Sequence, residues 1–196
     1  LNSEQRGYLT TVKSSADALL QIINDILDLS KIEAGKMDLH VVEFSIGDLV
    51  ERLSGMMKPL AERRNIELTS DVDPELPLLV QDSGKIQQIL YNLLSNAVKF
   101  NEPGGQVILS TALTDAGNAV IRVKDTGIGM DDEEIQMALE PFRQLATARQ
   151  SSGTGLGLPL TRALVEANRA SFTIRSRKRE GTLVEVAFPS PRVLAE

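Results

Sequence analysis

Four short stretches, in order in the second half of the chain, hold the residue types that a nucleotide site needs. They are Asn92-Leu93-Leu94-Ser95-Asn96-Ala97-Val98-Lys99-Phe100, Asp125-Thr126-Gly127-Ile128-Gly129-Met130, Glu140-Pro141-Phe142-Arg143 and Gly153-Thr154-Gly155-Leu156-Gly157-Leu158. Asp125 closes a run rich in β-branched residues and enters a glycine-rich turn. An ionised carboxylate only accepts hydrogen bonds, so it can receive the exocyclic amine of adenine while Gly127 and Gly129 let the base lie against backbone. Taken alone, Asp-Thr-Gly is an ordinary turn; the order and spacing of all four stretches make ATP the expected ligand.

Asn92 and Asn96 lie four apart and Lys99 three further on, which on a helix places all three on one face. Asn is a weak helix former, so a solvated polar stripe explains Lys99 better than it explains the pair of amides. An amide oxygen suits Mg²⁺, which takes few protein ligands and keeps its phosphates and waters, and Lys99 can offset phosphate charge as a point cation. The alternating glycines Gly153, Gly155 and Gly157 precede a helix with Pro159 in its first turn, where free N–H groups and the helix dipole favour a polyphosphate. This is neither a dinucleotide fingerprint nor a P-loop: the third glycine offset is wrong, and Ser83-Gly84-Lys85 lacks both the upstream Gly and the following Ser or Thr. Arg143 lies between the glycine stretches and is a candidate to swing onto a terminal phosphate when a lid closes. The single histidine, His40, sits in an alternating stretch with no catalytic context and reads as a solvent-facing strand residue.

Several elements must hold these residues. The first thirty-odd residues form one expected helix, with Leu9, Ala16, Ile23 and Ser30 recurring every seven residues and Val12, Leu19 and Ile26 between them. Leu20 and Leu27 widen that stripe towards a bundle, and Gly35 is its expected stop. Lys36 to Phe44 alternates as a strand would. Ser45 caps a helix reaching about Asn65 with Ile46, Leu49, Val50, Leu53, Met56, Met57 and Leu60 inward; both Met residues read as core, and Pro59 is a candidate kink or early stop. Strands are expected at Ile66 to Val72 and Leu78 to Val80, and a helix over Ser83 to Phe100 buries Ile86, Ile89, Leu90, Leu93, Leu94, Ala97 and Val98. A hairpin of Val107 to Leu113 and Ala119 to Lys124 follows, then a short helix, then a polar stretch over Thr147 to Gly155 that should be mobile. A last helix, Leu158 to Ala167, leads into a hairpin of Ser171 to Ser176 and Thr182 to Phe188. The expected fold is α+β: a two-layer sandwich with helices on one face of a mixed sheet, preceded by a bundle helix.

The chain's 196 residues suit one domain plus a smaller element. Cysteine is absent, which excludes a disulfide framework and thiolate metal sites and fits a reducing, cytoplasmic setting. A net charge of −6 argues against nucleic acid as a partner. The chain opens at Leu1 without an initiator Met, so a longer parent is expected, and any inner-membrane anchor would belong to that parent.

The four stretches closely resemble the N, G1, F and G2 boxes of sensor histidine kinases in the GHKL ATP-binding superfamily. Asp28-Leu29-Ser30-Lys31-Ile32-Glu33-Ala34-Gly35-Lys36 resembles the end of the second dimerisation helix, and Gly181-Thr182 resembles the final G3 segment. Gly157-Leu158-Pro159-Leu160-Thr161-Arg162 through Ala170 is similar to the alphaproteobacterial cell-cycle group of PleC, DivJ and PdhS. The resemblance implies a Bergerat-type sandwich over residues 37–196, behind a dimerisation helix over 1–36. It implies Mg²⁺ and ATP, with nucleotide contacts at Asn92, Asn96, Lys99, Asp125, Gly127, Gly129, Met130, Phe142, Arg143, Gly153, Thr154, Gly155, Leu156, Gly157, Leu158 and Thr182, and with Asn92 and Asn96 on the metal. It further implies transfer of the γ-phosphoryl group to a histidine on a dimerisation helix, then to an Asp on a response-regulator receiver domain, in a homodimeric parent. The family's acceptor histidine lies in a His-Glu-Leu-Arg-Thr-Pro-like stretch, and this chain has none. Two other readings stay open: a GHKL-type ATPase driving a clamp, and a non-catalytic nucleotide-binding or regulator-docking module.

Overall fold

The structure, a computed structural model, describes residues 2–145 and 153–189. It divides into two compact units, residues 1–37 and 38–196.

The first unit is one helix, α1 (Ser3–Glu33). Asn2 and Gln5 form a reciprocal capping box at its start, which satisfies two of the N–H groups that a helix leaves open. At its end, Gly35 takes φ +63°, the left-handed conformation that glycine adopts without a Cβ penalty, as expected of the stop. Tyr8, Leu9, Val12, Leu19, Leu20, Ile23, Ile26 and Leu27 are all exposed, so the heptad stripe remains uncovered along most of the helix.

The second unit carries β1 (Val42–Phe44), α2 (Ile46–Arg63), β2 (Glu67–Asp71), β3 (Leu79–Gln81), α3 (Ser83–Lys99), β4 (Gln106–Leu113), β5 (Ala119–Asp125), α4 (Asp132–Ala138), α5 (Gly157–Ala167), β6 (Ser171–Arg177) and β7 (Gly181–Phe188). The main sheet has the order β2-β4-β5-β7-β6, parallel between β2 and β4 and antiparallel elsewhere; β1 and β3 pair separately. Alternation puts Val107 and Leu109 of β4, Ile121 and Val123 of β5, and Val184, Val186 and Phe188 of β7 into the core. Against that face pack α2, α3 and α5; the inward stripes of α2 and α3 are fully apolar, that of α5 includes one hydroxyl, Thr161, and on α3 the stripe is the seven residues that the periodicity predicts.

Three expectations are corrected. The strand expected from Lys36 shrinks to Val42–Phe44, and His40 is exposed on irregular backbone, because its N–H donates to Asp82 Oδ2 (2.8 Å) rather than to a ladder. Met57 is core but Met56 is 63% exposed, since neighbouring helical residues point about 100° apart and cannot both face inward. Pro59 neither ends nor splits α2; the carbonyl it cannot serve belongs to Gly55, on the solvent side. The mobile segment expected over Thr147 to Gly155 lies largely outside the described residues.

Candidate functional site

Asp125 ends β5 at the point where the chain leaves the sheet, and half of its carboxylate is already committed. The N–H groups of Gly127 (2.8 Å) and Thr182 (3.2 Å) both donate to Oδ1. Oδ2 is thereby the oxygen left for a ligand. Burial pushes this carboxyl above its ordinary value of 3.8, and the two backbone donors pull it partly back. An acceptor held at this angle, with one oxygen turned from the backbone, fits an exocyclic amine.

The surroundings are fixed by close backbone approach. Gly181 has φ +95°, and a Cβ there would overlap the Asp125 carbonyl oxygen; a Cβ on Gly129, at φ +62°, would overlap the Arg177 carbonyl. Only glycine lets the β6–β7 turn lie against the Asp125–Met130 stretch in this way. Ser176 joins the segments. Its hydroxyl donates to Gly181 O (2.9 Å), so the Thr182 hydroxyl donates to it (2.8 Å), and Met130 N–H does the same (2.8 Å). An open cavity of about 520 Å³ follows, lined by Asp125, Ile135, Ile174, Ser176, Gly181 and Thr182 among others. Ile135, Ile174 and Leu183 give the cavity apolar surface, and Asp132, Glu180, Lys124, Arg175 and Arg177 also line it; the apolar part beside the Asp125 carboxylate suits a flat heteroaromatic base. No residue of α3 lines this cavity, so the residues expected to meet a base and those expected to meet phosphates lie apart.

The residues expected to meet phosphates lie on α3 and at the start of α5. Asn92 and Asn96 are half-buried at the border of the α3 stripe, on the side that meets α5. Asn92 Nδ2 donates to Thr161 Oγ1 (3.4 Å), and Asn96 Nδ2 would be 3.8 Å from a Cβ on Gly157. Helices α1 to α4 begin with side-chain caps from Asn2, Ser45, Asp82 and Asp131; α5 begins at Leu156 with none. Its first-turn N–H groups are thus the ones a polyphosphate can take. Among the described residues no cluster of three His, Cys, Asp or Glu side chains could hold a metal. The amide oxygens on α3 are hard donors, which fits Mg²⁺ shared with phosphates better than a caged ion.

Lys99 lies one turn beyond Asn96 with its ammonium over the Phe100 ring, 4.9 Å from the centroid. Burial and the nearby Arg64 charge both hold its pKa below the ordinary 10.5. Arg143 is exposed and pairs with Glu140 (2.9 Å), so in this conformation its charge is engaged beside the site. Phe142, also exposed, sits at φ +63°, with its N–H on Gly155 O (3.0 Å). Gly155 is at φ +71°, where a Cβ would press on the Arg143 carbonyl at 2.6 Å, and Gln144 Nε2 bonds Gly153 O. The third and fourth stretches are therefore one bonded assembly. Thr154 Oγ1 accepts from Leu156 N–H (3.2 Å), Leu156 is buried, and Leu158 is half-buried in the first turn of α5.

Sequence reasoning overlooked Ser176 and Thr161. Nothing around Ser176 marks it as a hub. Thr161 had a signal: a hydroxyl in the apolar stripe of α5, fully buried.

A family model described as histidine kinase-, DNA gyrase B-, and HSP90-like ATPase matches residues 81–192, and one for the His Kinase A (phospho-acceptor) domain matches residues 1–35. The chain belongs to the first of these families. Over its whole length it is 47% identical to the cell-division control histidine kinase PdhS of Brucella anthropi and 46% identical to that of Brucella canis, spanning 19% and 20% of those proteins. Among solved structures it is similar to full-length ShkA in complex with AMPPNP (30% identity, TM-score 0.85, all of this chain and 41% of that one). The histidine kinase ThkA in complex with the response regulator TrrA shares the fold (18% identity, TM-score 0.71, 97% and 52% of the chains). The phospho-acceptor match covers a stretch without histidine, since His40 is the chain's only one.

Proposed function

We propose that this chain is the phosphoryl-donor part of a two-component histidine kinase: residues 38–196 bind Mg²⁺ and ATP, and α1 contributes one helix to a dimerisation bundle. The observation that carries the reading is the Asp125 carboxylate, with one oxygen held by Gly127 and Thr182 and the other left for an adenine amine at the mouth of a cavity. The family match and the similarity to PdhS support the kinase class, and the AMPPNP bound to ShkA supports the nucleotide.

On this reading Asp125 selects adenine, and Thr182 and Gly127 keep its carboxylate in position. Asn92 and Asn96 offer amide oxygens to Mg²⁺, which when bound spreads the charge developing on the β- and γ-phosphates. Lys99 adds a cation on the same face, the first turn of α5 adds N–H donors, and Arg143 can exchange Glu140 for a phosphate. Phosphoryl transfer needs positioning and charge stabilisation more than covalent help, and these residues supply both. The acceptor is a histidine on another helix, reached through a bundle to which α1 brings its exposed stripe, in a dimer. A response-regulator Asp then receives the group, and the setting is the cytoplasm.

The test is to incubate the chain with γ-labelled ATP and a separately supplied dimerisation domain that bears a histidine. Acid-labile label on that domain supports the reading. Nucleotide binding without transfer would leave a binding module, and steady hydrolysis with no partner would favour a clamp-type ATPase.

A further inference from the structure

Thr161 is completely buried on the face of α5 that meets α3. Its hydroxyl has one proton, and that proton is directed to Gly157 O at 2.7 Å. The oxygen can therefore only accept from its other neighbour, and the neighbour is the Asn92 amide, with Nδ2 at 3.4 Å. A carboxamide has a donor end and an acceptor end of nearly the same shape, so its orientation is set by its partners. An acceptor-only hydroxyl on the α5 side requires the NH₂ to face α5 and turns Oδ1 away from it.

We propose that Thr161 is a positioning residue that fixes the amide of Asn92 with its oxygen presented to Mg²⁺. The inference rests on the metal assignment of Asn92 made above. Valine has almost the same shape, so packing alone gives no reason for a hydroxyl; what valine would remove is the acceptor facing the Asn92 NH₂ and the donor to Gly157 O. Without the hydroxyl, an Asn92 turned by 180° meets no penalty, and half of its orientations present N–H groups to a cation. Because the same hydroxyl is bonded to Gly157, the first residue of α5, the metal-facing amide is also tied to the glycine segment over the phosphates.

The test compares wild type, Thr161→Val and Thr161→Ser for affinity towards a non-hydrolysable ATP analogue, by calorimetry in Mg²⁺ and in EDTA, alongside thermal unfolding. Mn²⁺ replaces Mg²⁺ for a parallel spin-resonance measurement of metal bound in the ternary complex. Thr161→Val should stay cooperatively folded and keep wild-type affinity in EDTA, yet lose about 2-fold of the affinity gained on adding Mg²⁺, as an amide competent in half of its orientations implies. Thr161→Ser should restore that gain and the wild-type Mn²⁺ signal. A Val variant with the full gain from Mg²⁺, an equal loss in Mg²⁺ and EDTA, or a Ser variant no better than Val overturns the proposal. If wild type itself gains nothing from Mg²⁺, the metal reading of Asn92 falls first and this inference with it, a failure visible without any variant.

Discussion

Replacing Asp125 with Asn should make the empty protein more stable and its nucleotide binding much weaker. The side chain stays the same size, and the two backbone N–H groups of Gly127 and Thr182 still need an acceptor, so the amide oxygen must take the place of Oδ1. The NH₂ then occupies the Oδ2 position and meets the adenine amine donor to donor. Losing a hydrogen bond to a charged group and leaving donors unpaired together cost about 2–4 kcal/mol, or roughly 30- to 1000-fold in Kd. Inosine triphosphate, with a carbonyl oxygen where adenine has its amine, should lose far less or gain. The stability arm follows from burial, which raises the carboxyl's native pKa above 3.8. The native state then holds the proton more tightly than the unfolded one. Stability from this group is complete below 3.8 and is lost as pH rises through the native value, so at neutral pH the ionised carboxylate opposes folding. The Asn variant should unfold at a higher temperature at neutral pH, with the difference shrinking in acid. Calorimetric titrations with both nucleotides and thermal scans across pH measure both arms. Wild-type ATP affinity in the variant would refute the adenine assignment, and a lower unfolding temperature would refute the desolvation argument.

Asn96→Ala should weaken ATP binding mainly when Mg²⁺ is present; an equal loss in EDTA would count against a metal role. Lys99→Met should reduce affinity for ATP much more than for adenosine, and should stabilise the empty protein because its ammonium is desolvated and faces Arg64. Gly181→Ala should cost about 2–4 kcal/mol in denaturant unfolding, because it adds a Cβ at positive φ against the Asp125 carbonyl. Wild-type stability in that variant would show that the β6–β7 turn can shift freely.

What the sequence made legible was whatever repeats or is chemically distinctive. The apolar residues of α3 recur with the helical period, and its buried face follows from them residue by residue. Asp125 and its glycines stand out through the order and spacing of the four stretches together, since Asp-Thr-Gly alone is an ordinary turn. Single contacts between distant segments were not. His40 lies in a stretch that alternates as a strand would, and one bond to Asp82, 42 residues away, diverts it. Met56 and Met57 are chemically identical, and only the angle between neighbours on a helix separates core from solvent. Ser176 gathers three partners through one hydroxyl, and no pattern along the chain announces it.

The Asp125 clamp draws on three segments: the end of β5, the end of β6 and the start of β7, with the Thr182 donor 57 residues from the carboxylate it holds. If Asp125 meets the base as proposed, base preference is a property of how two hairpins abut, not of one loop. Grafting residues 125–130 from a relative with a different nucleotide preference would transplant the chemistry without its support. A library aimed at new base specificity has to vary Ser176, Gly181 and Thr182 together with Asp125. For the same reason, inherited changes in the β6–β7 turn, remote in sequence from every glycine stretch, belong among those that silence the nucleotide site.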